Sequence, residues 1–547
     1  MKTERRMCWT YIVKYYSLTL LIHRQNAKNR GISERKTPRY ECHLALLCYN
    51  SLYKKQGCTT VETPVIKTQK FILKLFPEIM VKGSSARRQM VGQLYNNLVK
   101  LLARYSTEIT VRKFSDKIEV ITPLAFLSEV RQTLLDTPGI EQVLEALQFD
   151  KMETLDDIKV KVHEVMTHTI TDKTFVVRAK RTGNHPFSSL EMEQIVGGYM
   201  LDHGNARGVD LRKPEVTIRI ELIHNQLNII TLKHAGLSGF PLGTQGDILS
   251  LMSGGFDSTV ASYLTIKRGI KTHFLFFNLG GIAHEIGVKQ VAFYLWNKFA
   301  ASHRVSFISV PFDGVIEEIF RSTHASYMGV TLKRLMLMAA QKIADEMQID
   351  ALLTGESVAQ VSSQTLRNLA LIDQATGKLV LRPLATMNKP EIIDIANRIG
   401  TRRFAENMPE YCGVISKNPI THGSYKRMEE EARRFDYTVL DNAVADAVKI
   451  YVHDIIEDVS SHAPIEVIHD LSSKEYVVID IRTEEACIEV PCESIKIPFH
   501  QLKTQFQKLP QDKEYLLYCE KGIMSQLHAQ YLRDAHNAQN VKVYRPL

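Results

Sequence analysis

An apolar run, Ile248-Leu249-Ser250-Leu251-Met252, leads directly into Ser253-Gly254-Gly255-Phe256-Asp257-Ser258. Two adjacent glycines let the backbone approach an anion closely and aim its N–H groups at it. Ser253 and Ser258 add hydroxyl donors. The helix expected to start at Ser258 and stop at Gly269 turns the positive end of its dipole to the same point. Asp257 is placed either to cap that helix or to hold a magnesium ion. A glycine turn with a Ser/Asp cap is the plain alternative, but the hexapeptide between strand and helix points to a phosphate site. No Gly-Lys-Ser/Thr closes the loop, so it is not of Walker type. Further along, Lys333 and Arg334 start an expected helix and offer cations to phosphate; a solvated basic turn is the alternative. Thr354-Gly355-Glu356 follows a buried strand at its C-terminal end, where ligands bind in parallel sheets. Ser362-Ser363-Gln364-Thr365 and Lys389 come next, and Lys389 is the better candidate for a cation beside a transferring phosphoryl group.

A second centre is Cys519, which ends the apolar strand Tyr515-Leu516-Leu517-Tyr518 and opens the loop through Ser525, before a helix expected over Gln526–Asp534. Backbone N–H groups, a helix N-terminus and nearby Lys521 all favour a reactive thiolate over an inert buried thiol. Cys412, in Glu410-Tyr411-Cys412-Gly413, is isolated between residues 59 and 486 and reads equally as filler or as a partner. Cys487 and Cys492 have no second pair at ligand spacing, so no metal site is expected. Lastly, Arg178-Ala179-Lys180-Arg181 with His185 and Phe187 is the densest local basic patch. Cations with stacking and hydrogen-bonding rings suit an RNA surface, although a solvated loop has the same composition.

These residues need several cores to hold them. At 547 residues, with 44% hydrophobic and 24% charged residues, the chain reads as three or four soluble domains. No uncharged apolar run approaches the roughly 18 residues of a membrane span. Lys14 interrupts the apolar part of residues 1–23 and no small-x-small site follows, so no secretory signal is expected. Residues 1–69 hold 13 basic and 4 acidic residues, the whole of the net +9, and the rest balances at 56 of each. Net charge therefore says nothing about RNA binding by the folded body. Four of eight cysteines also fall in this segment, and the Cys-poor body fits a reducing cytoplasm.

Regular patterning starts at Lys70. A strand at 71–75, a helix at 85–105 and two short strands form a β-α-β-β run of ferredoxin-like type. An α+β pattern continues to 235. Strands and helices then alternate over 246–400, which predicts a doubly wound parallel sheet. An acid-rich helical connector and a short α/β unit complete the chain. The expected boundaries are 1–69, an unassigned basic extension that is disordered or reflects a misplaced start; 70–125, ferredoxin-like; 126–235, the α+β unit with the basic patch; 240–425, the unit with the phosphate loop; 426–465, a helical linker; and 466–547, the short α/β unit with Cys519.

The hexapeptide and its flanks resemble the PP-loop of the ATP pyrophosphatase superfamily, over roughly 246–400. That superfamily splits ATP into AMP and pyrophosphate by adenylating a carbonyl oxygen. Asp480-Ile481-Arg482 with the Cys519 loop resembles a rhodanese domain, which carries sulfur as a cysteine persulfide; Lys521 stands where Arg is frequent there. Residues 126–235 resemble the THUMP module of RNA-modifying enzymes through Lys180-Arg181 and Phe187-Ser188-Ser189. In this order, and with Phe277-Asn278-Leu279-Gly280-Gly281, Ala283-His284-Glu285-Ile286-Gly287 and Glu410-Tyr411-Cys412-Gly413, the chain resembles the bacterial tRNA 4-thiouridine synthetase family over about 70–547.

The resemblance implies adenylation of uridine 8 of tRNA with ATP and Mg²⁺. It also implies sulfur delivery by a PLP-dependent cysteine desulfurase to a persulfide on Cys519, with Cys412 its disulfide partner, and sulfur transfer to the thiamine-pathway carrier protein. Asp257 and Lys389 would be catalytic. Leu251, Met252, Lys333, Gly355 and Gln364 would contact the nucleotide beside Ser253, Gly254, Gly255 and Ser258. Lys180, Arg181, His185 and Phe187 would face RNA. The cytoplasm is the expected setting, and a homodimer is left open. Two rivals stand beside this reading: a PP-loop enzyme acting on a small molecule, and an RNA-binding redox module without ATP turnover.

Overall fold

The computed structural model describes residues 68–546 apart from 280, 407, 409–417, 456–464, 472–475, 483–489, 491, 520–524, 526–527, 530–531 and 534–537. Cys412, Cys487, Lys521, nearly all of the basic extension and most of the helix expected over Gln526–Asp534 lie outside the described residues.

β1 (Thr68–Leu75) sends Phe71, Leu73 and Leu75 into a core with α1 (Ser84–Leu102), whose Met90, Leu94, Leu98 and Leu102 recur at helical spacing. β2 (Thr110–Lys113), β3 (Lys117–Pro123), α2 (Leu127–Leu135) and β4 (Ile140–Phe149) follow. The strand order β2-β3-β1-β4, antiparallel throughout, is ferredoxin-like. The boundary expected at 125 therefore falls inside this unit, which needs α2 and β4 to close. Sequence hides β4 because IEQVLEALQF is built largely of helix formers; pairing on both edges overrides that preference. Its Glu145 is buried and accepts Arg131 Nε at 2.5 Å and His234 Nε2 at 2.9 Å.

α3 (Leu155–Ile170), β5 (Thr174–Thr182), α4 (Ser189–His203), β6 (Gly208–Val209), β7 (Val216–Ile223) and β8 (Gln226–Ala235) continue the same sheet through β4–β8 pairing. The result is one eight-stranded sheet across both units expected over 70–125 and 126–235.

The central sheet has the order β13-β12-β9-β10-β11-β14. Its elements are β9 (Asp247–Leu251), α5 (Phe256–Lys267), β10 (Lys271–Asn278), α6 (Gly281–Leu295), β11 (Ser306–Pro311), α7 (Asp313–Ser322), α8 (Met328–Glu346), β12 (Ala351–Leu353), α9 (Leu366–Asp373), β13 (Leu379–Leu381) and α10 (Lys389–Ile399). Five strands are parallel, and apolar clusters fill both faces. Chain order reverses between β9 and β12, the switch point at which such sheets bind ligands.

The segment expected as a linker is part of this body. α11 (Tyr425–Arg434) and α12 (Thr438–Ala445) bury Met428, Phe435, Leu440 and Ala443 in its core, and β14 (Val448–Tyr451) pairs antiparallel with β11. Its acid-rich appearance misleads because Glu431 is fully buried, taking Arg427 Nε at 2.8 Å and the His324 N–H at 2.9 Å.

A last parallel sheet, β15-β19-β18-β16-β17, comprises β15 (Val467–Ile468), β16 (Tyr476–Asp480), β17 (Ser494–Lys496), β18 (Glu514–Tyr518) and β19 (Val541–Tyr544). Among the described residues, no helix is long and apolar enough to cross a membrane.

Candidate active site

β9 delivers the phosphate loop to the switch point. Met252 N–H is still bonded to Leu275 O at 2.8 Å. The chain then turns through Gly254 at φ +80°, where a side chain would be strained and its Cβ would lie 2.6 Å from Met408 Cε. Gly255 is the N-cap of α5, so the helix starts at Phe256 rather than Ser258, and Asp257 is not its cap but its second residue. Ser253 N–H donates to Ser258 Oγ at 3.1 Å, and the two hydroxyls meet at 3.0 Å. Buried His284 stands edge-on to Phe276 with Nε2 3.4 Å from Ser253 O. Burial holds its pKa below the usual histidine value, so the neutral ring braces the loop from behind without adding charge. At the far end of α5, Gly269 has φ +84° and forms the expected stop.

Beside the loop is a cavity of about 560 Å³, within the range of small-molecule sites. Leu251, Met252, Ser253, Gly255, Asp257, Ser258, Lys333, Gly355 and Gln364 all line it. Leu275, Phe277, Val330 and Ile372 supply an apolar lobe. Gln364 is only 8% exposed, and its Oε1 accepts no hydrogen bond from the protein. That leaves a buried acceptor for a donor on a ligand.

Two ionic groupings frame the cavity. At its mouth, Asp257 Oδ1 accepts from Lys389 Nζ at 2.7 Å and Oδ2 from Gln360 Nε2 at 2.8 Å. The sequence-expected pair is thus brought together across 132 residues. Lys389 is the first residue of α10, capped by Asn388 and Glu391. At the floor, Lys333 Nζ donates to Glu356 Oε1 at 2.7 Å, while Glu356 Oε2 accepts Arg382 Nε at 2.8 Å and Thr354 Oγ1 at 3.1 Å. Burial alone pushes the Glu356 carboxyl up, but Lys333 and Arg382 outweigh it and hold the pKa below the usual range.

Arg334 departs from expectation. α8 begins at Met328, five residues before the start expected at Lys333, so Lys333 and Arg334 sit in its second turn facing different ways. Arg334 Nη1 donates to Leu371 O, away from the cavity. Gln360 and Arg382 carried no sequence signal beyond the rule that a buried carboxylate such as Glu356 needs cationic partners.

Gly355 packs backbone against backbone. A Cβ there would lie 2.5 Å from both Asp257 C and Ser258 N. Gly355→Ala must displace the first turn of α5, since no flexible side chain can yield. A destabilisation of about 1–3 kcal/mol is expected, with ATP KM raised at least about tenfold. Unfolding midpoints and pyrophosphate release against ATP concentration check it, and unchanged KM would refute the close approach.

Cys519 follows β18 at the C-terminal edge of the last sheet, 8% exposed. Its Sγ lies 3.3 Å from the Ser525 N–H donor and 3.4 Å from Ser525 Oγ. On the neighbouring strand Asp480 accepts Arg482 Nε at 2.9 Å and Lys496 Nζ at 2.5 Å, and the Arg482 guanidinium lies 5.1 Å over Tyr518. The Asp480-Ile481-Arg482 signature thus braces the residue before the cysteine.

The basic patch is narrower than expected. Lys180 is exposed on β5. Arg181 Nη1 turns to His185 Nδ1 at 3.4 Å, and His185 Nε2 lies 2.5 Å from His224 O. Phe187 is 8% exposed in the core with Met192, which corrects its expected stacking role. The Ser188–Glu191 capping box, with Phe187 before it and Met192 at the fourth helical position, is a hydrophobic staple legible in sequence.

The family model of thiamine biosynthesis protein (ThiI) matches residues 243–437, a THUMP domain model 152–232 and a rhodanese-like domain model 464–545. A tRNA sulfurtransferase of Aeromonas hydrophila subsp. hydrophila is 48% identical over 484 residues, covering 87% of this chain and 100% of the relative. One from Pseudomonas putida is 45% identical over 485 residues with the same coverage. The crystal structure of a 4-thiouridine synthetase–RNA complex with bound ATP has a TM-score of 0.62 at 22% identity, over 70% of this chain and 100% of that one, and shares the fold. With the phosphate loop, the cavity and the sulfur-bearing edge in one chain, and relatives of this identity matched along their whole length, the chain belongs to the tRNA sulfurtransferase family.

Proposed function

We propose that this enzyme uses ATP to adenylate uridine 8 of tRNA at its O4 atom and replaces that oxygen with sulfur carried on Cys519, making 4-thiouridine. The observation carrying the reading is the nucleotide-sized cavity lined by Ser253, Gly255, Asp257 and Ser258 of the loop, with Asp257 held by Lys389. Loop N–H groups and Lys333 would hold the polyphosphate, Gln364 would meet a nucleotide donor, and Lys389 would stabilise charge on the reacting phosphoryl. Magnesium commonly binds through one or two carboxylates plus substrate phosphates. Asp257 is the carboxylate suited to that part, so the ion would arrive with ATP.

For sulfur, the terminal atom of the Cys519 persulfide attacks C4 and AMP leaves with its oxygen. Cys412 thiolate then attacks Cys519 Sγ, releasing the thiocarbonyl and forming a disulfide that a two-electron thiol reductant reopens. The sulfur would come from a PLP-dependent cysteine desulfurase and also serve the thiamine-pathway carrier protein, in the cytoplasm.

Pyrophosphate release from ATP, with and without tRNA, tests the assignment. Dependence on tRNA is expected; equal release without it would favour a small-molecule substrate. On the RNA side, Lys180→Ala is expected to weaken tRNA binding several-fold and lower the salt slope by about 0.7–0.9. Phe187→Ala instead removes core packing worth about 3–5 kcal/mol. Filter binding across a salt series, with melting curves, separates the two.

A further inference from the structure

Lys333 approaches the cavity at the end of a charge relay. Glu356, 7% exposed, sits between Lys333 and Arg382. Arg382 in turn grips Asp373 with Nη1 to Oδ2 at 3.1 Å and Nη2 to Oδ1 at 2.5 Å. Lys333 and Glu356 line the cavity, whereas Arg382 and Asp373 do not.

The arrangement solves a conflict. A lysine on a flexible stem needs an anchor if its ammonium is to meet phosphate without a large loss of rotamer freedom. A carboxylate anchor alone would cancel the charge that phosphate is meant to feel. Arg382, which stays protonated at any working pH, takes up the second oxygen of Glu356. The trio of buried Glu356 with half-buried Lys333 and Arg382 then carries one net positive charge. Asp373, with a side chain 46% exposed, balances Arg382 from the wet side, where water screens it.

We propose that Arg382 is a positioning residue for ATP: through Glu356 it fixes the Lys333 ammonium against the polyphosphate and leaves its charge available there. This rests on the reading of Lys333 as a phosphate contact. The relay acts on ground state and transition state alike, so it sets KM more than kcat.

The test uses the full-length chain and tRNA-dependent pyrophosphate release over a range of ATP concentrations. Arg382→Met is expected to raise ATP KM about tenfold with kcat within about twofold, and Arg382→Lys to fall between it and the parent. Lys333→Met should raise KM by itself. Adding Arg382→Met to Lys333→Met should then change KM by less than about twofold, because the relay ends on an absent ammonium. A full tenfold effect of Arg382→Met in that background, or no effect in the parent, overturns the relay. Unchanged KM in Lys333→Met instead removes the phosphate contact itself, and the proposal with it. Should Arg382→Met melt below the assay temperature, Asp373→Asn, which loosens the same guanidinium from the exposed side, carries the test: a KM increase lost in the Lys333→Met background supports the relay, and an equal increase there overturns it.

Discussion

Cys519→Ser is expected to lower multiple-turnover tRNA thiolation by roughly a thousandfold or more, while tRNA-dependent pyrophosphate release stays within a few-fold of the parent. Serine fits the space: the site holds one small side chain, 8% exposed, against Ser525 N–H and Oγ. A hydroxyl can keep those contacts but cannot accept a sulfur atom as a persulfide. The groups proposed for adenylation belong to another sheet, with Asp257, Lys389 and Lys333 around the β9–β12 switch point, so the two half-reactions should separate. Cys412→Ser is the companion. It should let the persulfide form on Cys519 yet block formation of the disulfide, which non-reducing mass spectrometry of the parent after one turnover would detect. Full multiple-turnover thiolation by Cys519→Ser would refute the persulfide role. Loss of pyrophosphate release in the same variant would show that the thiol change disturbs the ATP site instead.

The parts legible in sequence are those whose chemistry is contiguous. Ser253–Ser258 is one loop, and its glycines, hydroxyls and following helix are adjacent in the chain, so spacing alone reveals an anion site. Asp257 and Lys389 are 132 residues apart, and no periodicity joins them; the sequence marks each singly, and only the fold brings them into contact. Gln360 and Arg382 escaped for the same reason, being recognisable only by the carboxylates they hold. β4 was hidden because its residues favour helix until two neighbouring strands claim its edges. Phe187 was misassigned through its basic surroundings, although the staple around Ser188 was there to be read. Glu431 looked like solvated linker charge because burial cannot be inferred from a run of three glutamates. In each case the missing information is which distant group lies opposite.

Lys389 provides the sharpest contrast between stability and catalysis. Its ammonium is paired with Asp257 at 2.7 Å, with side chains 37% and 22% exposed. A pair this wet contributes at most about 1 kcal/mol to folding, and α10 keeps its Asn388–Glu391 capping box without the lysine head group. Lys389→Met should therefore shift the unfolding midpoint little. In the proposed reaction the same ammonium would stand where charge builds on the phosphoryl group during adenylation, and deleting one preorganised donor of that kind typically lowers kcat about 100- to 1000-fold. The expected result is a kcat loss of that order, with ATP KM within about threefold, because the loop and Lys333 still bind the ground-state phosphates. Asp257→Asn should behave similarly if the carboxylate holds Lys389 and the metal, but with an increased magnesium requirement that Lys389→Met lacks. Rapid-quench measurement of pyrophosphate formation over a magnesium series decides between them. A kcat within about fivefold of the parent, or a loss that follows a falling melting midpoint, would move Lys389 from the reaction to the scaffold.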